Sequence, residues 1–106
     1  MSLSSHVLDA VTGTPAIGVA ITLTDTAGAV LAEATTDDDG RVKSLGDALA
    51  PGVYRLRFDT AAYFAAQAVT AFYPEIVIAF EITEPSSHYH VPVLLSPYAY
   101  STYRGS

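Results

Sequence analysis

The chain has 106 residues, 50% of them hydrophobic, which suits one domain (residues 1–106) with a two-layer core and is too apolar for intrinsic disorder. A net charge of −6 at pH 7 argues against nucleic acid or an anionic membrane as a partner. The absence of cysteine excludes disulfides, a thiolate nucleophile and a cysteine-ligated zinc site, and no apolar run reaches the ~18 residues that a membrane-spanning helix needs.

The N-terminus carries no recognisable secretory signal. Residues 1–6 lack both the basic and the apolar regions of a signal peptide. A chain without cysteine also suits a reducing compartment. We therefore expect a cytoplasmic protein.

Short strand signals, separated by turns rich in Gly, Pro and Asp, dominate the chain. They predict strands over residues 3–8, 19–23, 30–36, 41–43, 53–59, 75–82, 88–95 and 98–103. In the strand predicted over residues 53–59, Tyr54, Leu56 and Phe58 point one way while charged residues point the other, which is typical of a half-buried strand in an antiparallel sheet. Seven or eight short strands in about 100 residues favour a β-sandwich.

One segment departs from this strand pattern. Residues 60–68 are rich in alanine, which predicts one or two helical turns with Asp59 or Thr60 as the N-cap. The expected fold is therefore all-β with a single short helix.

Two of the three histidines lie on one predicted strand. His88 and His90 fall on the same face, because side chains alternate along a strand. Pro92 has no N–H for a neighbouring strand, so this strand is predicted to lie at a sheet edge or to carry a bulge. His6 lies on the first strand, preceded by two serines, and would meet His90 and Ser106 if that strand lay near the last two.

Three kinds of chemistry fit these histidines. One is a zinc site with His6, His88 and His90, but no carboxylate lies close by in sequence to orient the imidazoles of His88 and His90. A Ser-His-Asp nucleophilic system is weaker, because the chain has no G-x-S-x-G turn to present a serine. Metal-free general acid–base catalysis fits best, since a neutral histidine with a pKa of about 6.5 accepts a proton from water near neutral pH.

An arginine beside such a histidine would help to keep it neutral and could bind an anion. We interpret Arg55 and Arg57 as solvated charges, whereas Arg41 follows a tight Asp-Gly turn and is expected to point to a specific place. The C-terminal segment 96–106 alternates aromatic and polar residues and is predicted to dock as a strand. Docking would deliver the Arg104 cation, a hydroxyl and the α-carboxylate to one place.

Five segments form a set that is informative as a whole: Ser5-His6-Val7-Leu8-Asp9 with Gly13 and Pro15-Ala16, Thr36-Asp37-Asp38-Asp39-Gly40-Arg41, Phe72-Tyr73-Pro74-Glu75-Ile76, His88-Tyr89-His90-Val91-Pro92-Val93-Leu94-Leu95-Ser96-Pro97 and Tyr100-Ser101-Thr102-Tyr103-Arg104-Gly105-Ser106. Together they resemble the transthyretin-like family, in its 5-hydroxyisourate hydrolase branch, nearly from end to end. The turn that ends at Arg41 also occurs in many non-catalytic sandwiches. The specific signals are therefore His6, the two-histidine strand and the terminal tetrapeptide. Ala99 departs from the family, which usually has glycine there, but removes no chemical group.

The resemblance implies a transthyretin-like (prealbumin-like) β-sandwich of seven to eight strands with one short helix. It also implies a site without metal or cofactor, whose residues would be a catalytic set and a supporting or substrate-binding set: His6, Arg41, His90 and Ser106, and then His88, Tyr103 and Arg104. The family assembles as a tetramer, a dimer of dimers with active sites in channels at the dimer–dimer interface, so a homotetramer is expected.

The implied reaction is hydrolytic opening of the lactam ring of 5-hydroxyisourate to 2-oxo-4-hydroxy-4-carboxy-5-ureidoimidazoline, after urate oxidation in purine breakdown. On this hypothesis a His6/His90 pair activates water, Arg41 orients the substrate and stabilises the oxyanion, and Ser106 positions substrate or water. Two other classes stay open: a carrier that binds a small aromatic ligand without chemistry, and a structural or adhesive sandwich domain. The terminal tetrapeptide favours the hydrolase over both.

Overall fold

The computed structural model describes residues 2–106 and contains nine strands and one helix in that range. They are β1 Ser2–Asp9, β2 Thr14–Pro15, β3 Ala20–Asp25, β4 Val30–Thr35, β5 Arg41–Val42, β6 Gly52–Phe58, α1 Thr60–Ala65, β7 Ile76–Ile82, β8 His88–Ser96 and β9 Ala99–Thr102. One sheet has the order β2–β1–β8–β9, with β5 also paired to β1, and the other has the order β4–β3–β6–β7. The predicted sandwich with one short helix is confirmed, and the strand count rises from eight to nine because the two-residue strand β2 was not predicted.

The core lies between the two sheets and follows the alternation in the sequence. Tyr54, Leu56 and Phe58 on β6 are buried, as predicted. From the other sheet, the inward residues of β1 and β8 complete the core: Leu3, Val7, Tyr89, Val91, Val93 and Leu95. Because these residues are the odd-numbered members of their strands, the even-numbered ones point to the outer face of the sheet.

The strand β8 lies inside its sheet, so the prediction of an edge strand was wrong. It pairs in parallel with β1 over eight residues without a register shift, and in antiparallel fashion with β9. Pro92 is tolerated there because its missing N–H falls where the pairing between β8 and β9 is interrupted. Pairing with β9 covers Val93 to Ser96, and the chain then rejoins β8 only through a bridge between His90 and Gly105.

The helix α1 begins as the sequence predicts and anchors one end of β1. The Asp59 side chain caps it by accepting a hydrogen bond from the backbone N–H of Ala62. Tyr63 on this helix donates its hydroxyl proton to Asp9 Oδ2 at 2.8 Å. Burial, and then this hydrogen bond, raise the pKa of Tyr63. Among the described residues, no helix is both long and apolar enough to cross a membrane.

Candidate active site

The outer face of β1 and β8 brings the histidines together. The parallel register places Ser2 opposite His88, Ser4 opposite His90 and His6 opposite Pro92. Because the register does not shift, all the even-numbered residues of both strands share one face. His88 is exposed and His90 is half-buried on this face.

Serine hydroxyls join the two histidines of β8. The Oγ atom of Ser4 lies 3.0 Å from Nε2 of His88 and 2.7 Å from Nδ1 of His90. Nδ1 of His88 is in turn hydrogen-bonded to Ser2 Oγ. The two imidazole planes are within 17° of parallel, with ring centroids 6.4 Å apart. Every ring nitrogen of this pair except Nε2 of His90 therefore has a serine partner.

Arg41 reaches this face through a tight turn. The carboxylate of Asp37 accepts hydrogen bonds from the backbone N–H groups of Asp39, at 2.8 Å, and Arg41, at 3.0 Å. These bonds hold the pKa of Asp37 below its usual value. Gly40 has φ +71°, and a Cβ there would collide with the carbonyl oxygen of Val7. Only glycine fits this backbone contact, which sets Arg41 opposite His6 on β1.

The cation of Arg41 is available to a ligand. Within residues 2–106 the one ion pair joins Arg57 to Glu75 on the other sheet. Arg41 is exposed and lines a shallow pocket of about 170 Å³ together with Ser4, Lys43 and His90. An anion or a developing oxyanion in this pocket would meet positive charge, and none of the residues that line the pocket is Asp or Glu.

His6 is held by the same turn. Its Nε2 atom lies 3.0 Å from the carbonyl oxygen of Asp39. A carbonyl oxygen only accepts, so Nε2 carries the proton and donates. In neutral His6, Nδ1 is therefore the nitrogen with a free lone pair.

His90 is biased toward its neutral form. Burial is the main cause of its lowered pKa, and the positive charges of Arg41, His88 and His6 add to the effect. A neutral imidazole can accept a proton, whereas an imidazolium cannot. His90 is thus suited to act as a general base at neutral pH.

The C-terminal segment closes over His90, as its predicted docking requires. The N–H of Gly105 donates to the carbonyl oxygen of His90 at 2.9 Å. A Cβ on Gly105 would lie under 3.0 Å from the ring atom Cδ2 and 3.1 Å from Cγ. Ser106 directly follows this contact and is exposed. The docked terminus therefore ends beside the imidazole.

Arg104 and Tyr103 line a different pocket from Arg41 and Lys43, but His90 borders both pockets. The Arg104 guanidinium sits 4.7 Å from the centroid of the Tyr89 ring, and Tyr89 points into the sandwich. Both residues line a second, mostly apolar cavity of about 310 Å³ between β7 and the C-terminal segment, with Ile78 and Phe80. The protomer thus brings His6, Arg41, His88 and His90 together on one face, and His90 connects this face to the cavity that Tyr103 and Arg104 line.

The three histidines do not form a metal-ligand set in this geometry. No group of three or more His, Cys, Asp or Glu side chains in residues 2–106 is arranged to hold a metal ion. His6 Nε2 is bonded to a carbonyl oxygen, and both nitrogens of His88 are bonded to serines.

Ser2, Ser4 and Gly105 were not predicted as parts of the site. Ser2, Ser4 and His6 are alternate residues of one strand, and this spacing could have predicted that they share a face. What made them partners of His88 and His90 is the pairing of β1 with β8, and no local pattern encodes it. The contact of Gly105 with His90 likewise depends on this docking.

Comparisons with known proteins agree with the geometry. Residues 3–105 match the family model described as the HIUase/Transthyretin family. The chain is 49% identical over 109 residues to the 5-hydroxyisourate hydrolase of Salmonella dublin, covering 98% of this chain and 80% of that protein. Its structure resembles that of Klebsiella pneumoniae 5-hydroxyisourate hydrolase, with a TM-score of 0.91, 40% identity and coverage of 99% and 93%. It also resembles sea bream transthyretin in complex with thyroxine, with a TM-score of 0.90, 34% identity and coverage of 99% and 95%.

Proposed function

Because the chain belongs to the HIUase/Transthyretin family, we propose that it is a 5-hydroxyisourate hydrolase. The enzyme opens the lactam ring of 5-hydroxyisourate with water and yields 2-oxo-4-hydroxy-4-carboxy-5-ureidoimidazoline. Relatives named 5-hydroxyisourate hydrolase match nearly the whole chain at 40–49% identity.

One observation carries the proposal: a histidine with a lowered pKa and an arginine that forms no ion pair within residues 2–106 line the same pocket. His90 has a lowered pKa and Arg41 faces the same space. Amide hydrolysis needs a group that takes a proton from water and a cation where negative charge develops. Binding without chemistry needs neither.

The reaction follows from these two groups. His90 accepts a proton as the water oxygen attacks the ring carbonyl carbon, and Arg41 stabilises the oxyanion that forms. When the oxyanion collapses, the ring C–N bond breaks and the leaving nitrogen takes a proton from Nε2 of His90. His6, with its Nδ1 lone pair free, orients the water or the substrate.

The C-terminus completes the site in this proposal. Gly105 contacts the His90 ring, so the hydroxyl and α-carboxylate of Ser106 lie within a residue of the base. They position substrate or water beside His90. His88 supports His90 from the other side, and Tyr103 and Arg104 contact the substrate from the second cavity, which His90 also borders.

We also propose that the active form is a homotetramer with its sites in channels between dimers. The strands β7 and β9 each have an unpaired edge in the protomer, and large hydrophobic side chains near these edges are exposed, among them Val77, Tyr98 and Tyr100. Unpaired edges with apolar neighbours are stabilised when another copy covers them. Sedimentation velocity would test the assembly, and a monomer with full activity would refute it.

A carrier is the second candidate, because the fold also resembles transthyretin bound to thyroxine. The two candidates differ in turnover. The test follows the ultraviolet decay of freshly generated 5-hydroxyisourate with the wild-type protein, His90→Ala, Arg41→Ala and a variant lacking Ser106. Arg57→Ala is the matched control, since it removes an arginine from the outer face of the other sheet.

The expected result is decay well above the spontaneous rate for the wild type and Arg57→Ala. The three site variants should lose about 10²- to 10⁴-fold, as is typical when a positioned acid–base or oxyanion group is removed. Saturable ligand binding by the correctly assembled wild type, without accelerated decay, would establish the carrier instead.

A further inference from the structure

The hydroxyl of Ser4 touches two imidazoles at once. Its Oγ atom is 3.0 Å from Nε2 of His88 and 2.7 Å from Nδ1 of His90. A serine hydroxyl has one proton to donate, so it donates to one of these nitrogens and accepts an N–H from the other. The tautomers of His88 and His90 are therefore coupled through Ser4.

Two arrangements of the neutral pair satisfy both bonds. In the first, Nδ1–H of His90 donates to Ser4, Ser4 donates to Nε2 of His88, and Nδ1–H of His88 donates to Ser2. Nε2 of His90 then has a free lone pair. In the second, every proton is shifted by one bond, and Nε2 of His90 carries a proton. Only the first arrangement presents a base to the pocket.

We propose that Ser4 is a positioning residue that holds His90 with its proton on Nδ1, and that Ser4, His88 and Ser2 form a relay which carries a proton from His90 to solvent. This inference rests on the proposed hydrolase function and deepens it. The proton balance is complete. As Nε2 of His90 takes a proton from water, Nδ1 passes one to Ser4, Ser4 passes one to Nε2 of His88, Nδ1 of His88 passes one to Ser2, and Ser2 releases one to water.

The surroundings drive the proton in this direction. The charged and titratable groups near His90 are Arg41, Lys43, His6, His88 and the α-carboxylate of Ser106. Burial, and after it the positive charge of Arg41, disfavour an imidazolium at His90. His88 is exposed, so water can solvate a charge there. The relay thus moves positive charge away from the half-buried base, through the exposed histidine, to water.

The first arm of the test measures tautomers and does not depend on turnover. Nitrogen-15 NMR of the histidine side chains, at a pH where the imidazoles are neutral, distinguishes a proton on Nδ1 from one on Nε2. We expect Nδ1–H for His90 in the wild type and in Ser4→Thr, which keeps the hydroxyl. Ser4→Ala should lose this preference, because the tautomer of a histidine is set by the partner of its other nitrogen.

Ser5→Ala is the matched control, since it removes a serine hydroxyl from the same strand on the opposite face. Ser5 donates to the carbonyl oxygen of Val91 at 2.8 Å and does not touch a histidine. The His90 tautomer should be unchanged in this variant. An Nε2–H tautomer in the wild type, or an unchanged Nδ1–H tautomer in Ser4→Ala, overturns the proposal.

The second arm measures proton movement during turnover. Ser4→Ala should lower kcat by roughly 10- to 100-fold with little change in KM, a part of the 10²–10⁴ that a positioned acid–base group contributes. A plot of rate against deuterium content should be curved for the wild type and Ser4→Thr, because several protons move together, and linear for Ser4→Ala. A curved plot in Ser4→Ala overturns the relay.

The two arms separate this inference from the function on which it rests. If the wild type does not hydrolyse 5-hydroxyisourate, the proposed function fails, and the relay fails with it. The NMR comparison still decides whether Ser4 sets the His90 tautomer.

Discussion

Gly105→Ala should inactivate the enzyme while leaving the fold nearly as stable. The added Cβ would lie under 3.0 Å from Cδ2, 3.1 Å from Cγ and 3.3 Å from Cβ of His90. Carbon atoms in contact sit about 3.5–4.0 Å apart, so the imidazole or the C-terminal segment must move by roughly 1 Å. The Gly105 backbone is not strained toward positive φ, and the effect is therefore steric.

The size of the effect follows from the displacement. A shift of about 1 Å in a catalytic group can cost 10²-fold in rate, which corresponds to about 2.7 kcal/mol in the activation barrier. Stability should fall by only about 1 kcal/mol, because the last residues lie at the surface and can move without opening the core. The assay is ultraviolet decay of 5-hydroxyisourate beside thermal unfolding of the same samples.

Gly13→Ala is the control, because it should lower stability and leave activity unchanged. Gly13 has φ +71°, and no atom lies within 4 Å of a Cβ built on it. Alanine there strains the backbone by about 1 kcal/mol without touching the site, so stability should fall and kcat/KM should not. A Gly105→Ala protein with wild-type kcat/KM and assembly would refute the role of the docked C-terminus.

Three further predictions test the charges and the buried hydrogen bonds. The lowered pKa of His90 should keep the base active below the usual histidine pKa of about 6.5. The acidic limb of the kcat/KM profile should therefore lie below about pH 6.5 in the wild type and shift to higher pH in Arg41→Gln. An acidic limb that this substitution does not move would contradict the role of Arg41. Because the pKa of His90 is lower in the folded than in the unfolded state, the unfolded state binds more protons between the folded pKa and about 6.5. The contribution of His90 to the free energy of unfolding is therefore complete above about 6.5 and is lost as the pH falls through that window. His90→Asn should flatten this part of the curve of unfolding free energy against pH, and an unchanged curve would refute the linkage. Tyr63→Phe removes the 2.8 Å hydrogen bond to the buried carboxylate of Asp9 and should lower the free energy of unfolding by about 1.5–3 kcal/mol in urea titrations; a loss below about 0.5 kcal/mol, or a change of kcat/KM in the folded protein, would count against a purely structural bond.

The fold could largely be predicted from the sequence because its signals are local. Alternation assigned the inward face of β6 and placed His88 and His90 on one face of β8, and turn residues marked where the strands end. The Asp-Gly turn before Arg41 was also predictable, since the Asp37 side chain bonds to backbone groups two and four residues on. These features depend on side chains within a few residues of one another.

The site could be predicted only in part. His6, Arg41, His88 and His90 were found as a set through the resemblance to a family, and the structure places them on one face. The edge position predicted for β8 was wrong. The missing N–H of Pro92 affects hydrogen bonding only toward β9 and does not prevent β8 from pairing with β1 on its other side. The position of Arg104 over Tyr89 had no local signal either, since a strand pattern assigns faces and not the path of a long side chain.

The sequence by itself therefore determined which residues share a face of each strand, where the chain turns, and which chemical groups are present. Tertiary structure alone decided which faces meet. The parallel pairing of Ser4 with His90 joins residues 86 positions apart, and the contact of Gly105 with His90 exists only once the C-terminus is docked. The physical reason is that periodicity is a property of one strand, whereas the register between distant strands is set by how both bury their apolar faces in a common core.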